Sequence, residues 1–393
     1  MDEGGQIQSQ STNTGAEPVN EAVLPPVFNN ETPATNPFEA TNIPAPAAPE
    51  AQPAMATAPP VGEQFDVIGV GDIVTEPFIR LLKDQAHTYE DDKGAWLAMQ
   101  FGTKLPFDFA QIIEGVGNAS NAAVASARLG LRTALVTNVG GDQYGRDMIA
   151  AINKNGVDHR FVRVNPDKKS NYHYVLWYED ERTILIKHEE YDYQWPHLRP
   201  NEAPKWMYFS SISEHAIAYH DQVSDWLDEN PGVKLAFQPG TFQMEAGTER
   251  LKRIYERTEV LILNREEAVK VGGGNHDDIK DLLNHLHALG PKIVVITDGP
   301  KGAYASDSRD VFKMPLYPDP APPYERTGAG DAFAATFVAC LIKGNTIEGA
   351  LQWAPINSMS VVQKIGAQAG LLNEAELEDW LRKAPDWYKP ERI

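Results

Sequence analysis

Residues 133–156, TALVTNVGGDQYGRDMIAAINKNG, contain one complete change of structural period. Thr133–Val139 is an apolar, β-branched run of strand length, and Gly140-Gly141-Asp142 closes it. Tyr144–Asn155 reads as a helix that stops at Gly156, where a glycine cap belongs. A strand passing directly into a helix is the repeating half of an α/β sheet. The alternation continues in both directions. Upstream, Phe65-Asp66-Val67-Ile68-Gly69-Val70 predicts a short buried strand entering a turn at Gly71, and the small apolar residues of Ala119–Leu129 predict a tightly packed helix before Gly130. Downstream, Lys234–Phe237 and Val260–Leu263 predict strands, Asp277–Leu289 a helix, and Ile293–Thr297 another strand. The expected fold class is α/β: a doubly wound, mostly parallel sheet flanked by helices. One segment departs from this pattern. Tyr172–Tyr178 and Thr183–His188 alternate with period two across Glu179-Asp180-Glu181-Arg182, which predicts an antiparallel hairpin in a small accessory sheet. No repeat of about 20–50 residues is visible, so a solenoid or propeller is not expected.

Composition divides the 393 residues unequally. Met1–Gly62 holds 11 of the 29 prolines and 7 of the 55 acidic residues but no Lys or Arg, leaving 35 basic against 48 acidic residues in the remainder. A stretch so poor in large apolar residues cannot offset its ordering entropy, and it reads as a disordered Pro/Ala-rich leader, with a partner-docking tail as the alternative. Residues 63–393 are then one ordered domain of a size suited to a large α/β core. A net charge of −20 and a pI near 4.9 exclude a binder that tracks phosphates along nucleic acid. No uninterrupted apolar run reaches the ~18 residues a spanning helix needs. The opening Met-Asp-Glu-Gly-Gly has neither the basic nor the apolar region of a secretory signal, and Cys340 stands alone, so a reducing cytoplasm is the expected location.

The strongest chemical signal is Thr327-Gly328-Ala329-Gly330-Asp331-Ala332-Phe333, followed by small apolar residues to Leu341. Small residues before a helix leave backbone N–H groups uncovered, and the helix start adds unpaired donors and a positive dipole end, which together make an anion hole. Asp331 in that first turn is placed to take a proton from an alcohol beside the bound anion, as phosphoryl transfer requires. An ordinary Gly-rich turn with a favourable first-turn carboxylate is the alternative. Asn264 and Glu267 follow a predicted strand and suit phosphate oxygens and a hydrated Mg²⁺; they equally suit an N-cap and its capping-box partner. Thr297-Asp298-Gly299-Pro300-Lys301-Gly302 offers close backbone approach to a phosphate or ribose, or simply a hairpin turn into Ala303–Ala305.

Taken together, these segments resemble the ribokinase/PfkB family of carbohydrate kinases over about Phe65 to Leu372. Glu325-Arg326-Thr327-Gly328-Ala329-Gly330-Asp331 is similar to that family's C-terminal signature. Gly117-Asn118-Ala119-Ser120-Asn121, continuing through Leu129-Gly130 to Asn138-Val139-Gly140-Gly141-Asp142-Gln143-Tyr144-Gly145, is similar to its N-terminal signature, and Asn264-x-x-Glu267 to its magnesium and phosphate motif. The resemblance implies a ribokinase-like fold in which a small antiparallel β-lid, built from segments around 76–115 and 170–190, covers a sugar. It implies transfer of the ATP γ-phosphoryl group to a hydroxyl of a sugar or sugar-like molecule. By matched position, Asp331 would be the general base, and Gly328, Ala329 and Gly330 the anion hole. Asn264, Glu267, Thr297, Gly299, Gly302 and Pro355 would face ATP, with Mg²⁺ held by Glu267 through water. Gly117 and Asn121 would contact the sugar, and a monovalent cation such as K⁺ would occupy a late loop reaching Gly366-Ala367. A homodimer through the lid is in keeping with the family.

Three departures bear on specificity. The family's sugar-gripping Asp after the first strand is replaced by Glu76, with Asp72 as the alternative under a shifted alignment. Val116-Gly117 stands for the usual glycine pair, and Glu325-Arg326 for the usual Asp-Thr. Within the same fold a nucleoside is an alternative acceptor, and a nucleotide-binding regulator without turnover is an alternative of another class. Gly69-x-Gly71 lacks the third glycine of a dinucleotide fingerprint, because position 74 is Val74, and no P-loop sequence occurs. The ten histidines, His285-x-His287 among them, lack metalloprotease spacing. Trp177, Trp195 and Trp353 read as core or lid packing.

Overall fold

The computed structural model describes residues 64–393; the predicted leader Met1–Gly62 lies outside the described residues. The strand that opens the quoted stretch, Thr133–Gly140, is buried along all eight residues. Its parallel partner Val67–Val70 pairs on its other side with Trp206–Phe209, so that Val67 lies opposite both Thr133 and Trp206. From Val162–Asn165 the ten-stranded sheet continues through Thr133–Gly140, Val67–Val70, Trp206–Phe209, Lys234–Phe237, Thr258–Asn264 and Ile293–Thr297, then Ala303–Ser306, Val311–Met314 and Glu391–Arg392. Pairing is parallel as far as Ile293–Thr297 and antiparallel beyond it. Such strands read as continuous apolar runs because both faces are covered. On one face, Ala119 and Ala123 of helix Asn118–Arg128 share a core with Phe337 and Ala339 of helix Ala329–Ile342. On the other, Val223 and Leu227 of helix Tyr219–Glu229 pack with Leu282 and Leu286 of helix Ile279–Ala288.

The chain winds outward from Val67–Val70 to Thr133–Gly140 and later returns to the opposite side at Trp206–Phe209. That reversal places a crevice at the carboxyl ends of the central strands, the usual ligand position in open α/β sheets. Asp72, Ser210, Gln238, Asn264 and Thr297 end or follow successive parallel strands, so the sheet delivers them to one edge. Helix Gln143–Lys154 starts where the sequence places the turn: Asp142 is its N-cap and accepts from Gly145 N at 3.0 Å.

A four-stranded sheet lies apart from the large one, in the order Phe107–Val116, Val74–Leu81, Tyr174–Tyr178, Glu181–Leu185. Its outer pairings are antiparallel, while the middle pair runs parallel with Phe78 opposite Val175. The hairpin connection is tighter than the four-residue link read from the sequence. Tyr178 pairs with Glu181, leaving Glu179-Asp180 as a two-residue loop with Glu179 at φ +57°. A separate hairpin of Ala86–Asp91 and Gly94–Met99 carries Tyr89 stacked on Trp96 at 6.3 Å.

Candidate active site

Helix Ala329–Ile342 begins at Gly328, which adopts φ +81°. A Cβ there would meet the Ala367 Cβ at 2.3 Å, so both the backbone conformation and the close approach require glycine. No side chain caps this helix, and the amide N–H groups of Gly330 and Asp331 find no acceptor among the described residues. Gly330 is exposed, with open space where a side chain would stand. The helix start therefore presents free donors and the positive end of its dipole to solvent, as an anion site needs. Behind it, the buried Glu325 accepts from Thr327 N at 2.7 Å and Gly366 N at 3.3 Å, holding the loop before the helix against the late loop.

Asp331 points toward side chains from two other segments, helix Asn118–Arg128 and the end of strand Lys234–Phe237. Its Oδ1 accepts from Asn118 Nδ2 at 3.0 Å and Gln238 Nε2 at 3.1 Å, and its Oδ2 from Asn121 Nδ2 at 2.8 Å. A carboxylate offers about four acceptor positions, so one remains, on Oδ2. Asp331 keeps some solvent contact, yet the dense surroundings raise its pKa by desolvation; the three amides lower it and the charge of Glu76 adds to the rise. The amides are themselves held. Gln238 Oε1 accepts from Tyr208 Oη at 2.6 Å, and Asn121 Oδ1 from Gln368 Nε2 at 3.0 Å. The sequence reading missed Asn118 and Gln238 as partners of Asp331. Asn118 stands inside the quoted N-terminal signature, and Gln238 directly follows the predicted strand Lys234–Phe237, which was the available signal.

Asn264 and Glu267 form the capping box that was one of their two readings: Glu267 N donates to Asn264 Oδ1 at 2.7 Å, and Asn264 N to Glu267 Oε2 at 2.9 Å. Desolvation raises the Glu267 pKa, the Asn264 amide opposes this, and the charge of Asp331 adds to the rise. Two partly desolvated carboxylates thus repel one another beside a helix start, and a divalent cation with its waters would relieve that repulsion. The residues fit Mg²⁺ on this ground, with Glu267 retaining Oε1 for a water ligand.

The remaining predicted residues divide. Thr297 ends a parallel strand at the same edge, and Gly299 is exposed with open space around it. Gly302 is buried, and a Cβ on it would lie 2.1 Å from Met314 O; its glycine serves the hairpin between Ile293–Thr297 and Ala303–Ser306. Pro355 is buried inside helix Ile347–Val361. Gly117, at φ +122°, brings its backbone against Asp72 O. Asp72 itself is already engaged: it accepts from Tyr193 Oη at 2.9 Å and Ser213 N at 2.8 Å and lies 3.0 Å from His188 Nδ1. Glu76, from the small sheet, lies 3.5 Å from His173 Nδ1, and its charge helps to raise the Asp331 pKa. At the far end of that sheet, Arg326 meets Asp180 at 3.2 Å and Glu181 at 3.7 Å across an exposed gap.

A family model described as pfkB family carbohydrate kinase matches residues 115–375. A 5-dehydro-2-deoxygluconokinase of Bacillus licheniformis is 26% identical over 283 residues, covering 67% of this chain and 85% of its own. A nucleoside kinase of Methanothermobacter thermautotrophicus is 26% identical over 266 residues, covering 66% and 82%. Among solved structures, Arabidopsis thaliana ribokinase complexed with ribose and ATP superposes with a TM-score of 0.65 at 18% identity, over 81% of this chain and 99% of that one. No helix of the described residues is long and apolar enough to cross a membrane.

Proposed function

Because this chain belongs to the pfkB family of carbohydrate kinases, we propose that it transfers the γ-phosphoryl group of ATP to a hydroxyl of a sugar or sugar-like small molecule, with residues 63–393 as the kinase domain. The observation that carries this reading is the one open acceptor position on Asp331 Oδ2, beside the uncapped helix start at Gly328–Gly330. Asp331 takes the proton of the acceptor hydroxyl as that oxygen bonds the γ-phosphorus and the bond to ADP breaks. The free N–H groups of Gly330 and Asp331 stabilise the charge on the transferring oxygens, and Asn118, Asn121 and Gln238 fix the carboxylate. Glu267 would hold Mg²⁺ through water, and the ion would supply charge neutralisation on the phosphates. Asn264, Thr297 and Gly299 belong to the nucleotide side, and Glu76, Gly117 and Asn121 to the acceptor side.

A screen with MgATP and sugars beside nucleosides tests the assignment. Acceptor-dependent ADP release is expected for at least one compound, and ATP binding without any such release would favour a non-catalytic regulator. A nucleoside acceptor is the second reading, favoured by the nucleoside kinase among the relatives.

Two further outcomes follow from electrostatics. Only ionised Asp331 accepts a proton, and its folded pKa lies above the ordinary 3.8. Activity is therefore lost as pH falls through that raised value. Glu76→Gln removes a charge that raises it, so the acid limb of kcat/KM should move to lower pH; an unmoved limb would separate Glu76 from the base. Glu267→Gln keeps an oxygen for the Asn264 amide, so Tm should stay nearly constant. The Mg²⁺ concentration for half-maximal activity should rise about 10–100-fold, the scale of outer-ligand losses.

A further inference from the structure

The inner face of the small sheet has a polar end and an apolar, aromatic remainder. Alternation along Val74–Leu81 puts Glu76, Phe78 and Arg80 on one face, and the parallel register with Tyr174–Tyr178 sets Val175 and Trp177 beside them. Trp177 is fully buried and stacks under the Arg80 guanidinium at 4.1 Å, and Arg80 Nε also lies 3.7 Å from Asp108. One step before Tyr174, His173 falls on the same face beside Glu76. Its backbone N–H is fixed by Thr75 O at 3.0 Å.

The imidazole of His173 is buried, its side chain 10% exposed, with Nδ1 3.5 Å from Glu76 Oε1. Its Nε2 is buried and has no hydrogen-bond partner among the described residues. The neighbouring His188, whose ring centre lies 5.1 Å away, directs its own Nδ1 to Asp72. A buried polar atom without a partner costs about 1–3 kcal/mol, and such atoms are rare enough in folded proteins that each needs a reason. A ligand hydroxyl would supply one here, because the His173–Glu76 pair stands beside His188, which reaches Asp72 just after the first strand, and Asp72 O lies against Gly117, the neighbour of the Asp331 partner Asn118.

We propose that His173 is a specificity-determining residue of the acceptor subsite, pairing with Glu76 to recognise two neighbouring hydroxyls of a neutral polyol. The proposal rests on the kinase reading above and narrows its substrate class. In the tautomer that turns Nδ1–H toward Glu76, His173 Nε2 accepts one O–H while the second oxygen of Glu76 accepts the other. The carboxylates of Glu76, Asp72 and Asp331 repel a carboxylate or phosphate at this position, so sugar acids and sugar phosphates are disfavoured. An acceptor lacking one of the two hydroxyls leaves a buried group unpaired, which is a strong means of discrimination.

The test uses the full chain with D-ribose, 2-deoxy-D-ribose, D-fructose, D-gluconate, fructose 6-phosphate and adenosine. The wild type should prefer neutral diols. His173→Ala should raise the acceptor KM about tenfold, the loss of one hydrogen bond, while KM for MgATP stays constant and Tm shows the fold intact. His173→Gln, which restores an acceptor atom, should recover part of the loss. The His173 imidazole resonance, identified by its absence from both variants, should shift when the preferred sugar or nucleoside is added. An unchanged acceptor KM in both variants, a preference for the anionic sugars, or a resonance unmoved by every compound would overturn the proposal. A shifting resonance without any phosphoryl transfer would leave the subsite standing and count against the kinase reading instead.

Discussion

Replacing Asp331 by Asn is expected to lower acceptor-dependent turnover by about 10²–10⁴-fold, the scale of a lost general base. The change is close to isosteric, so what it removes is the capacity to take a proton. It also disturbs the clamp around the group. Three amide N–H groups converge on this carboxylate, and an introduced NH₂ must face at least one of them as donor against donor. Asn121 cannot simply turn over to relieve this, because its own oxygen is held by Gln368. Weakened acceptor binding is thus expected beside the loss in kcat, with MgATP binding largely kept because the helix-start amides and the Asn264–Glu267 pair are untouched. Single-turnover measurement of ADP formation separates the two effects. Full acceptor-dependent turnover in the variant would remove Asp331 from the chemistry.

Asp72→Ala is expected to act on stability rather than on the proton transfer. Asp72 is 4% exposed, and its two oxygens gather the Tyr193 hydroxyl and the His188 ring from one connecting stretch and the Ser213 amide from another. Truncation leaves the Ser213 N–H and Tyr193 O–H without their acceptor. Each buried orphan costs about 1–3 kcal/mol, for a total of roughly 2–6 kcal/mol. Desolvation, with the charge of Asp72 adding to it, holds the Tyr193 hydroxyl well above its ordinary pKa, so that proton remains a donor at every working pH. A Tm lowered by order of 10 °C is expected by calorimetry. A variant as stable as the parent but with a raised acceptor KM would return Asp72 to the acceptor side, its alternative role in the sequence.

Much of the architecture was legible because the deciding elements carry strong local signals. Lys234–Phe237 and Ile293–Thr297 fall where their apolar runs end, and helix Gln143–Lys154 begins one residue before its expected start. Trp206–Phe209 went unread although it is central to the sheet: four residues are too few to show a period, and Pro204-Lys205 before it marks no distinctive turn. Helix Ile347–Val361 was hidden by Pro355, which ordinarily argues for a helix boundary. At the site, Gly328–Asp331 and Asn264–Glu267 were legible as local units because capping and helix-start chemistry are written in neighbouring residues. The clamp on Asp331 was not. Asn118 and Gln238 lie 213 and 93 positions away in the chain, and only the winding of the sheet brings them together. Nor could spacing tell Asp72 from Glu76; that distinction arises from which carboxylate the surrounding segments have already engaged.

The Arg326 bridge to Asp180 and Glu181 joins the outer tip of the small sheet to the residue just ahead of the Thr327–Gly328 turn. Both contacts are exposed, and pairs of this kind contribute about 0–1 kcal/mol each and fade with ionic strength. That is comparable with thermal energy. A fastening so slight holds the tip beside the loop without locking it there, so this pair of contacts alone would not bar a molecule from the crevice.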